Sequence, residues 1–402
     1  MKRKLDLHTG RPVWSAYRAP SVPVTPLKRD ATADVLVVGM GISGAMIAEA
    51  LASDGHRVIC IDRRGPMLGS TAATTALVQH EIDKPISILT RMIGRDKAER
   101  AWQRSRLAIA NLEARIRERG IECRMTPRQS VYLDGNVLTP SLLREEGLAR
   151  RRAGLRSDYL VPSELERRFG IAGRSALLEH GNLALDPRKL TAGMLRAAAD
   201  RGTRLHAPLE ASAIETSSSE VITATRQGPL IRTSSLVVAT GYELLDVLPP
   251  TSHQIISTWA LATKPQKRAV WPGEAFVWEA SDPYLYMRVL HDGRVVCGGE
   301  DEPFMDEQHR DELIPRKMDT IATKLGRLFP LLDTTPDYTW AGAFGTTATG
   351  LPLIGRVPRR PNVFAVMGYG GNGITYSQIA SELVATALSG ERDCDEDLYR
   401  LT

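Results

Sequence analysis

Gly39, Gly41 and Gly44 are spaced as G-x-G-x-x-G, and Asp62 follows 18 residues after the last of them. These residue types at this spacing suit a dinucleotide. The first glycine permits a tight turn, the second lets backbone approach a pyrophosphate, and the third lets a helix pack closely on a strand. A helix beginning near Gly44 would aim its free amides and its dipole at that pyrophosphate, and Ile42 and Ser43 belong to the same turn. Asp62 would accept hydrogen bonds from ribose hydroxyls. Val35, Leu36, Val37 and Val38 precede the turn as an unbroken apolar run, the pattern of a strand covered on both faces. The competing reading is an ordinary βαβ unit that binds nothing. A strand, a helix, a second strand and a terminal acid all in register favour the dinucleotide.

The elements that must position this turn are spread along the chain. SLVVATGYE (235–243) reads as a second buried strand, ending at Ala239, Thr240 and Gly241, and GYGGNGI (368–374) as another glycine turn that opens a helix. A nucleotide-binding domain assembled from 31–85, 180–245 and 340–402 is expected, with a second domain inserted as 86–179 and 246–339. Residues 1–30 carry Pro12, Pro20, Pro23 and Pro26 and read as an extended arm that straps onto the body or a partner subunit. The fold class is mixed α/β. Helical spacing is expected over 85–119 and 138–170, with short strands over 121–133. Asp186 as N-cap and Pro187 at the first helical position open another helix. Asp292-Gly293 marks a hairpin within 255–300.

With 402 residues, two lobes are expected. Hydrophobic content of 43% and charged content of 25% are those of a globular protein, and the net charge of +5 is spread rather than clustered. Basic runs such as Arg150–Arg152 lack interleaved aromatics, so no nucleic-acid partner is expected. Cys60, Cys123, Cys297 and Cys394 lie far apart and show no zinc spacing, so no metal site is expected. The N-terminus has no apolar signal core, and no apolar run reaches membrane length, so a cytoplasmic protein is expected.

VVGMGISGA (37–45), LVVATGYE (236–243), WAGAFGTTATGLPLIGR (340–356) and GYGGNGI (368–374) together resemble the D-amino acid oxidase superfamily of FAD-dependent oxidoreductases, over about residues 33–390. Glycine oxidase, sarcosine oxidase and γ-glutamylputrescine oxidoreductase are members of it. The resemblance implies a Rossmann-like FAD-binding domain built from separated segments, with an inserted antiparallel-sheet substrate domain. It implies that Gly39, Gly41 and Gly44 hold the pyrophosphate of FAD and Asp62 the adenosine ribose, with Arg63 and Arg64 near the adenine. The small-residue loop Gly69, Ser70, Thr71, Ala72, Ala73 and Thr74 would run along the pyrophosphate and ribityl chain. Gly371, Asn372, Gly373 and Ile374 would set a helix N-terminus beside the flavin pyrimidine ring, where it favours the charge that builds on reduction. The loop carries no histidine or cysteine, so noncovalent FAD is implied.

One departure bears on the substrate. In the glycine oxidase branch an arginine follows Trp-Ala-Gly by two positions and grips the substrate carboxylate. Here that position is Phe344, which cannot pair with a carboxylate. The site is then open to an amine without an α-carboxylate, or to a carboxylate held elsewhere. Arg288 is the candidate for such a holder, with an exposed or structural arginine as the alternative. Trp259, Trp278, Tyr284, Tyr286, Trp340 and Tyr369 could wall the pocket, and His80 could face the ring. The expected reaction removes two electrons from the C–N bond of an amine or amino acid by hydride transfer to FAD. The imine product would then hydrolyse, and oxygen or another acceptor would reoxidise the cofactor. A C–O dehydrogenase on the same fold and a non-catalytic flavin-binding assembly protein remain alternatives, and an oligomer is compatible with each.

Overall fold

Val35 and Val37 pack against helices, while Leu36 and Val38 pack into a second core on the opposite face, so the apolar run is covered on both sides as its pattern requires. These residues end a strand of a computed structural model that describes residues 6–18, 20–243, 245–248, 253–268 and 270–401. The chain starts with β1 (His8–Gly10), then β2 (Ala31–Val38), α1 (Ile42–Ser53), β3 (Val58–Ile61) and β4 (Leu77–Val78). Next come α2 (Ile86–Ile93), α3 (Arg95–Glu118), β5 (Thr126–Leu133), α4 (Pro140–Arg152), β6 (Ser157–Leu160), α5 (Pro162–Phe169), β7 (Ala176–Ala184) and α6 (Pro187–Asp200). A run of strands follows: β8 (Arg204–His206), β9 (Ala211–Thr216), β10 (Val221–Thr225), β11 (Leu230–Val238), β12 (Gln254–Thr263), β13 (Phe276–Glu279), β14 (Leu285–Val289) and β15 (Val295–Glu302). The chain closes with α7 (Glu307–Glu312), α8 (Ile314–Leu328), β16 (Pro336–Thr346), β17 (Leu353–Val357), β18 (Arg360–Met367) and α9 (Gly373–Leu388).

The strands form two sheets. In the first, β18-β11-β2-β3-β8 run parallel, β17 adds an antiparallel edge, and the hairpin β9-β10 joins β11. Strands from three distant parts of the chain thus lie side by side, the arrangement expected of a nucleotide-binding domain in separated segments. The second sheet has the order β1-β16-β12-β15-β14-β13-β5-β7-β4, with β6 also on β7, and is antiparallel except for β13–β5. The mixed α/β fold class therefore stands. The segment limits expected at 180 and 340 fall inside β7 and β16, two strands of the antiparallel sheet. Their apolar runs do not reveal which sheet owns them. We propose that the units divide instead near 185 and 347.

Other boundaries move for local reasons. Gly94, at φ +84°, breaks the stretch expected as one helix into α2 and α3. β6 interrupts the helical stretch expected over 138–170 and pairs with β7, a tertiary choice that the local Arg/Glu pattern hides. Residues 126–133 form one strand rather than several. The Asp186 cap is present: its Oδ1 accepts from the amides of Arg188 (2.9 Å) and Lys189 (3.1 Å).

The described part of the N-terminal arm straps onto the body. Thr9 pairs with Ala341 at the edge of the antiparallel sheet, and Thr25 bridges His206 at the edge of the parallel sheet. Between them Trp14 is 2% exposed, and its indole N–H donates to the carbonyl of Thr74 at 2.6 Å. A buried tryptophan contributes mainly through apolar area and cavity filling. Trp14→Ala is therefore expected to cost about 3–5 kcal/mol, read as a lowered midpoint in urea or thermal unfolding.

Candidate active site

Two adjoining cavities run along the junction of the sheets. Gly39, Gly41, Ile42, Ser43, Asp62, Arg63, Arg64, Gly69, Ser70, Thr71, Thr74, Ala239, Thr240, Gly241, Tyr369, Gly373 and Ile374 line the outer one. The inner one shares Ser70, Thr74, Gly373 and Ile374 with it and continues to Gly371, Asn372, Phe344 and an aromatic wall of Trp259, Trp278, Tyr284, Tyr286 and Trp340. Most residues singled out from the sequence thus meet in one groove. Gly44 and Ala72 line neither cavity. Gly44 packs directly on Gly39, where a Cβ would collide with the Gly39 carbonyl oxygen.

The turn around Gly39 is locked from several sides. Gly39 has φ +120°, and a Cβ there would strike the carbonyl of Ala239, just past the end of β11. Asp62 directly follows β3, with its Oδ2 accepting from the Met40 amide (2.8 Å) and its Oδ1 from the amides of Arg64 (2.7 Å) and Gly65 (2.9 Å). Thr71 Oγ1 accepts from the Ile42 amide at 3.1 Å, fixing the small-residue loop to the start of α1. Arg64 grips Glu243 with two nitrogens, at 2.6 and 2.8 Å, and Arg63 also bonds Glu243, so the pair closes the outer mouth. At the far end of the groove, Gly371 N donates to Asp83 Oδ2 (2.8 Å), Asn372 Nδ2 to the Glu81 carbonyl (2.5 Å) and Thr375 Oγ1 to the Gln79 carbonyl (2.7 Å). The N-terminus of α9 is therefore tied to residues 79–83.

Residues 34–387 match the family model described as FAD dependent oxidoreductase. The chain belongs to this family. It is 25% identical over 393 residues to γ-glutamylputrescine oxidoreductase of Escherichia coli K12, covering 94% of this chain and 90% of that protein. It is 23% identical over 387 residues to a probable oxidoreductase, OrdL, of Haemophilus influenzae, covering 91% and 85%. The solved glycine oxidase of Geobacillus kaustophilus superposes with a TM-score of 0.76 at 21% identity, over 92% of this chain and 99% of that one, a likeness of fold.

The groove of this FAD-dependent oxidoreductase fits its cofactor. The N-termini of α1 and α9 both open onto it and favour anions there. A Cβ at Gly41 would meet only Thr71 Oγ1, at 3.3 Å, on the protein side, so its other side is open to a pyrophosphate. Ser70 Oγ, which borders both cavities, is buried without a hydrogen-bond partner, and a bound group with polar atoms would satisfy it. The residues that would hold the dinucleotide are those lining the outer cavity.

Two residues singled out as substrate contacts lie elsewhere. Arg288 is 4% exposed and lines a separate small cavity with Trp14 and Arg128. Its Nη1 donates to the carbonyls of Ala76 (2.5 Å) and Leu185 (3.2 Å), and burial pushes its pKa down to about 10. His80 is 2% exposed, lines neither cavity, and hydrogen-bonds Asn182 through Nδ1 at 2.9 Å. Arg288 shares a face of β14 with Tyr286 but sits two residues further along the strand, where the Ala76 and Leu185 carbonyls take up its guanidinium. Sequence reasoning missed Leu7, which borders both cavities, and Gln79, Glu81, Asp83 and Thr258, which line the inner one. The apolar-then-polar run Leu77–Asp83 directly after the small-residue loop was the available signal.

The two motif glycines should separate in their effects. Gly39→Ala is expected to prevent folding, because the collision is with backbone at a positive φ. Gly41→Val is expected to leave a folded protein that has lost FAD affinity by more than tenfold, read by flavin fluorescence on reconstitution.

Proposed function

We propose that this FAD-dependent oxidoreductase oxidises the C–N bond of an amine that carries no carboxylate beside the reacting carbon. The observation that carries the reading is the charge of the inner cavity. Glu81 and Asp83 line it together with the aromatic wall, and among the described residues no lysine, arginine or histidine does. Phe344 stands on that wall. An α-carboxylate would enter facing acids with no guanidinium to receive it, whereas an ammonium finds carboxylates and ring faces, both of which attract cations. Two relatives point to the C–N bond by name, γ-glutamylputrescine oxidoreductase and glycine oxidase.

FAD, when bound, supplies the acceptor for the hydride. The chain supplies placement, dryness and charge. Trp259, Trp278, Tyr284 and Tyr286 exclude water around the reacting carbon and hold a cation over their faces. The acids raise the local concentration of the ammonium form. One of them must then take its proton, because an ammonium has no lone pair to expel a hydride. Burial raises the pKa of Asp83, and it pushes Asp301, beside Tyr284, up to about 7 with the charge of Asp83 adding to it. Acid groups with raised pKa values lose their charge as pH falls through that range, so cation binding weakens on acidification.

Anaerobic titration of the FAD-loaded protein against matched amines and α-amino acids tests the reading. Amines should bleach the flavin absorbance, and the corresponding amino acids should do so at least tenfold more weakly. Preference for the amino acids, or bleaching by 2-hydroxy acids alone, would overturn it. Readmitting air reports whether oxygen serves as acceptor. Asp83→Asn should raise KM for the amine about tenfold or more, the worth of one charged hydrogen bond. The wild-type KM should climb on acidification, as the Asp83 carboxylate, its pKa raised by burial, takes up a proton, and the variant should show less of that climb.

A further inference from the structure

Behind the inner cavity, between β5, β7 and helices α3 and α4, lies a buried charged cluster of which the proposed reaction uses only Glu81. His80 is 2% exposed, Glu81 1%, and Glu146, Arg150 and Glu179 are each 0%. Glu81 belongs both to this cluster and to the cavity lining. Its Oε1 accepts from Asn182 Nδ2 at 3.1 Å and from Ser130 Oγ. Arg150 stacks between the rings of Trp102 and Tyr132, donates from Nε to Glu146 Oε1 at 2.8 Å and from Nη1 to Glu179 Oε1 at 3.0 Å. Glu146 also accepts from the amides of Ile86 and Ser87 at the start of α2.

The hydrogen bonds fix where the protons sit. Asn182 donates from Nδ2 to Glu81, and its Oδ1 accepts from the His80 amide at 3.1 Å. That oxygen is 2.9 Å from His80 Nδ1, so Nδ1 must carry hydrogen. Burial holds the imidazole below its ordinary pKa and hence neutral, leaving the lone pair on Nε2. Nε2 faces Glu179 Oε2 at 3.9 Å, and that oxygen has no hydrogen-bond partner. Two facing lone pairs repel, so a proton belongs on Glu179 Oε2. Burial supports this by raising Glu179 to about 7. On the other side, His80 Nδ1 lies 3.5 Å from Glu81 Oε2, which also lacks a hydrogen-bond partner. The charged groups around the imidazole are Glu81 and Glu179 themselves, Arg106 on α3 and Arg150 on α4.

We propose that Glu179, His80 and Glu81 form a proton relay that neutralises the cavity carboxylate of Glu81 when negative charge builds in the cavity. The Glu179 O–H bond breaks as an N–H bond forms at His80 Nε2. The Nδ1–H bond breaks as an O–H bond forms on Glu81 Oε2. No electrons change hands. The relay answers the negative charge that a hydride brings to FAD, because a neutral Glu81 no longer repels it. Transfer requires the gaps of 3.5 and 3.9 Å to shorten by side-chain rotation. Glu179 and His80 act through Glu81 and are positioning residues. The relay depends on FAD lying in the groove and not on the identity of the substrate.

Chemical photoreduction of the FAD-loaded protein, with no substrate, tests it by infrared difference spectroscopy with ¹³C-glutamate labelling. Reduction should remove one protonated-carboxyl band and create another, both sensitive to labelling and to D₂O. Glu179→Gln should abolish the lost band, and Glu81→Gln the gained one. A wild-type spectrum without protonated-glutamate changes, or both bands surviving in both variants, would overturn the relay. Should a variant fail to fold, ¹⁵N NMR of His80 in the oxidised wild type decides alone. The Nδ1–H tautomer is expected, and an Nε2–H tautomer or an imidazolium at pH 7 would refute the proposal.

Discussion

The lacing of α9 to residues 79–83 is the contact on which the rest of the site depends. Three side chains make it: Asp83, Asn372 and Thr375 each bond the backbone of the opposing segment. The parallel sheet delivers α9, and the short strand β4 delivers residues 79–83 from the antiparallel sheet, so the lacing fixes how the two sheets meet. It also sets the helix N-terminus, a positive pole, against a segment that carries two acids. The opposed charges satisfy each other's backbone and side-chain groups and leave the carboxylate of Asp83 facing the cavity.

The acids that line the inner cavity carry an electrostatic cost, and the fold distributes it. Arg150 compensates the inner acids from behind, out of reach of the cavity, with its guanidinium sealed between two aromatic rings. A buried cation so placed favours the ionised form of Glu81 without offering a partner to a substrate carboxylate. Lys317, over the Trp259 ring on the far side of the cavity wall, is likewise paired with Glu300 and Glu302. The cavity thus stays negative in a protein whose net charge is positive. Local geometry, not composition, sets the field that a ligand meets.

Arg288 shows how the same physics can mislead. An arginine on the strand that covers the groove is a reasonable carboxylate holder when only its position in the sequence is known. In the fold it bonds the Ala76 carbonyl from behind, where it supports the small-residue loop rather than any ligand. Its role is geometric: with Trp14, whose indole bonds Thr74, and Trp340, whose indole bonds Ala73, it pins a loop whose own regular structure is a single 3-10 turn at Ser70–Ala72. The Pro-rich arm, expected from the sequence to strap onto the body or a partner subunit, contributes Trp14 to this clamp and Leu7 to the groove itself.

By itself the sequence determined the nucleotide turn and the strands that had to lie together, while FAD as the dinucleotide followed from the family resemblance. Those features rest on local rules: glycines where a Cβ would strike backbone, unbroken apolar runs for covered strands, and an acid at the end of the second strand. It also determined that Phe344 could not grip a carboxylate, because that follows from side-chain chemistry alone. The tertiary structure decided which sheet owns β6, β7 and β16, because apolar strands fit either sheet and only register selects the partner. It decided that Arg288 and His80 turn away from the groove and that Glu81 and Asp83 turn toward it. The reason is that side-chain direction and charge compensation depend on neighbours more than a hundred residues away, which no local pattern encodes.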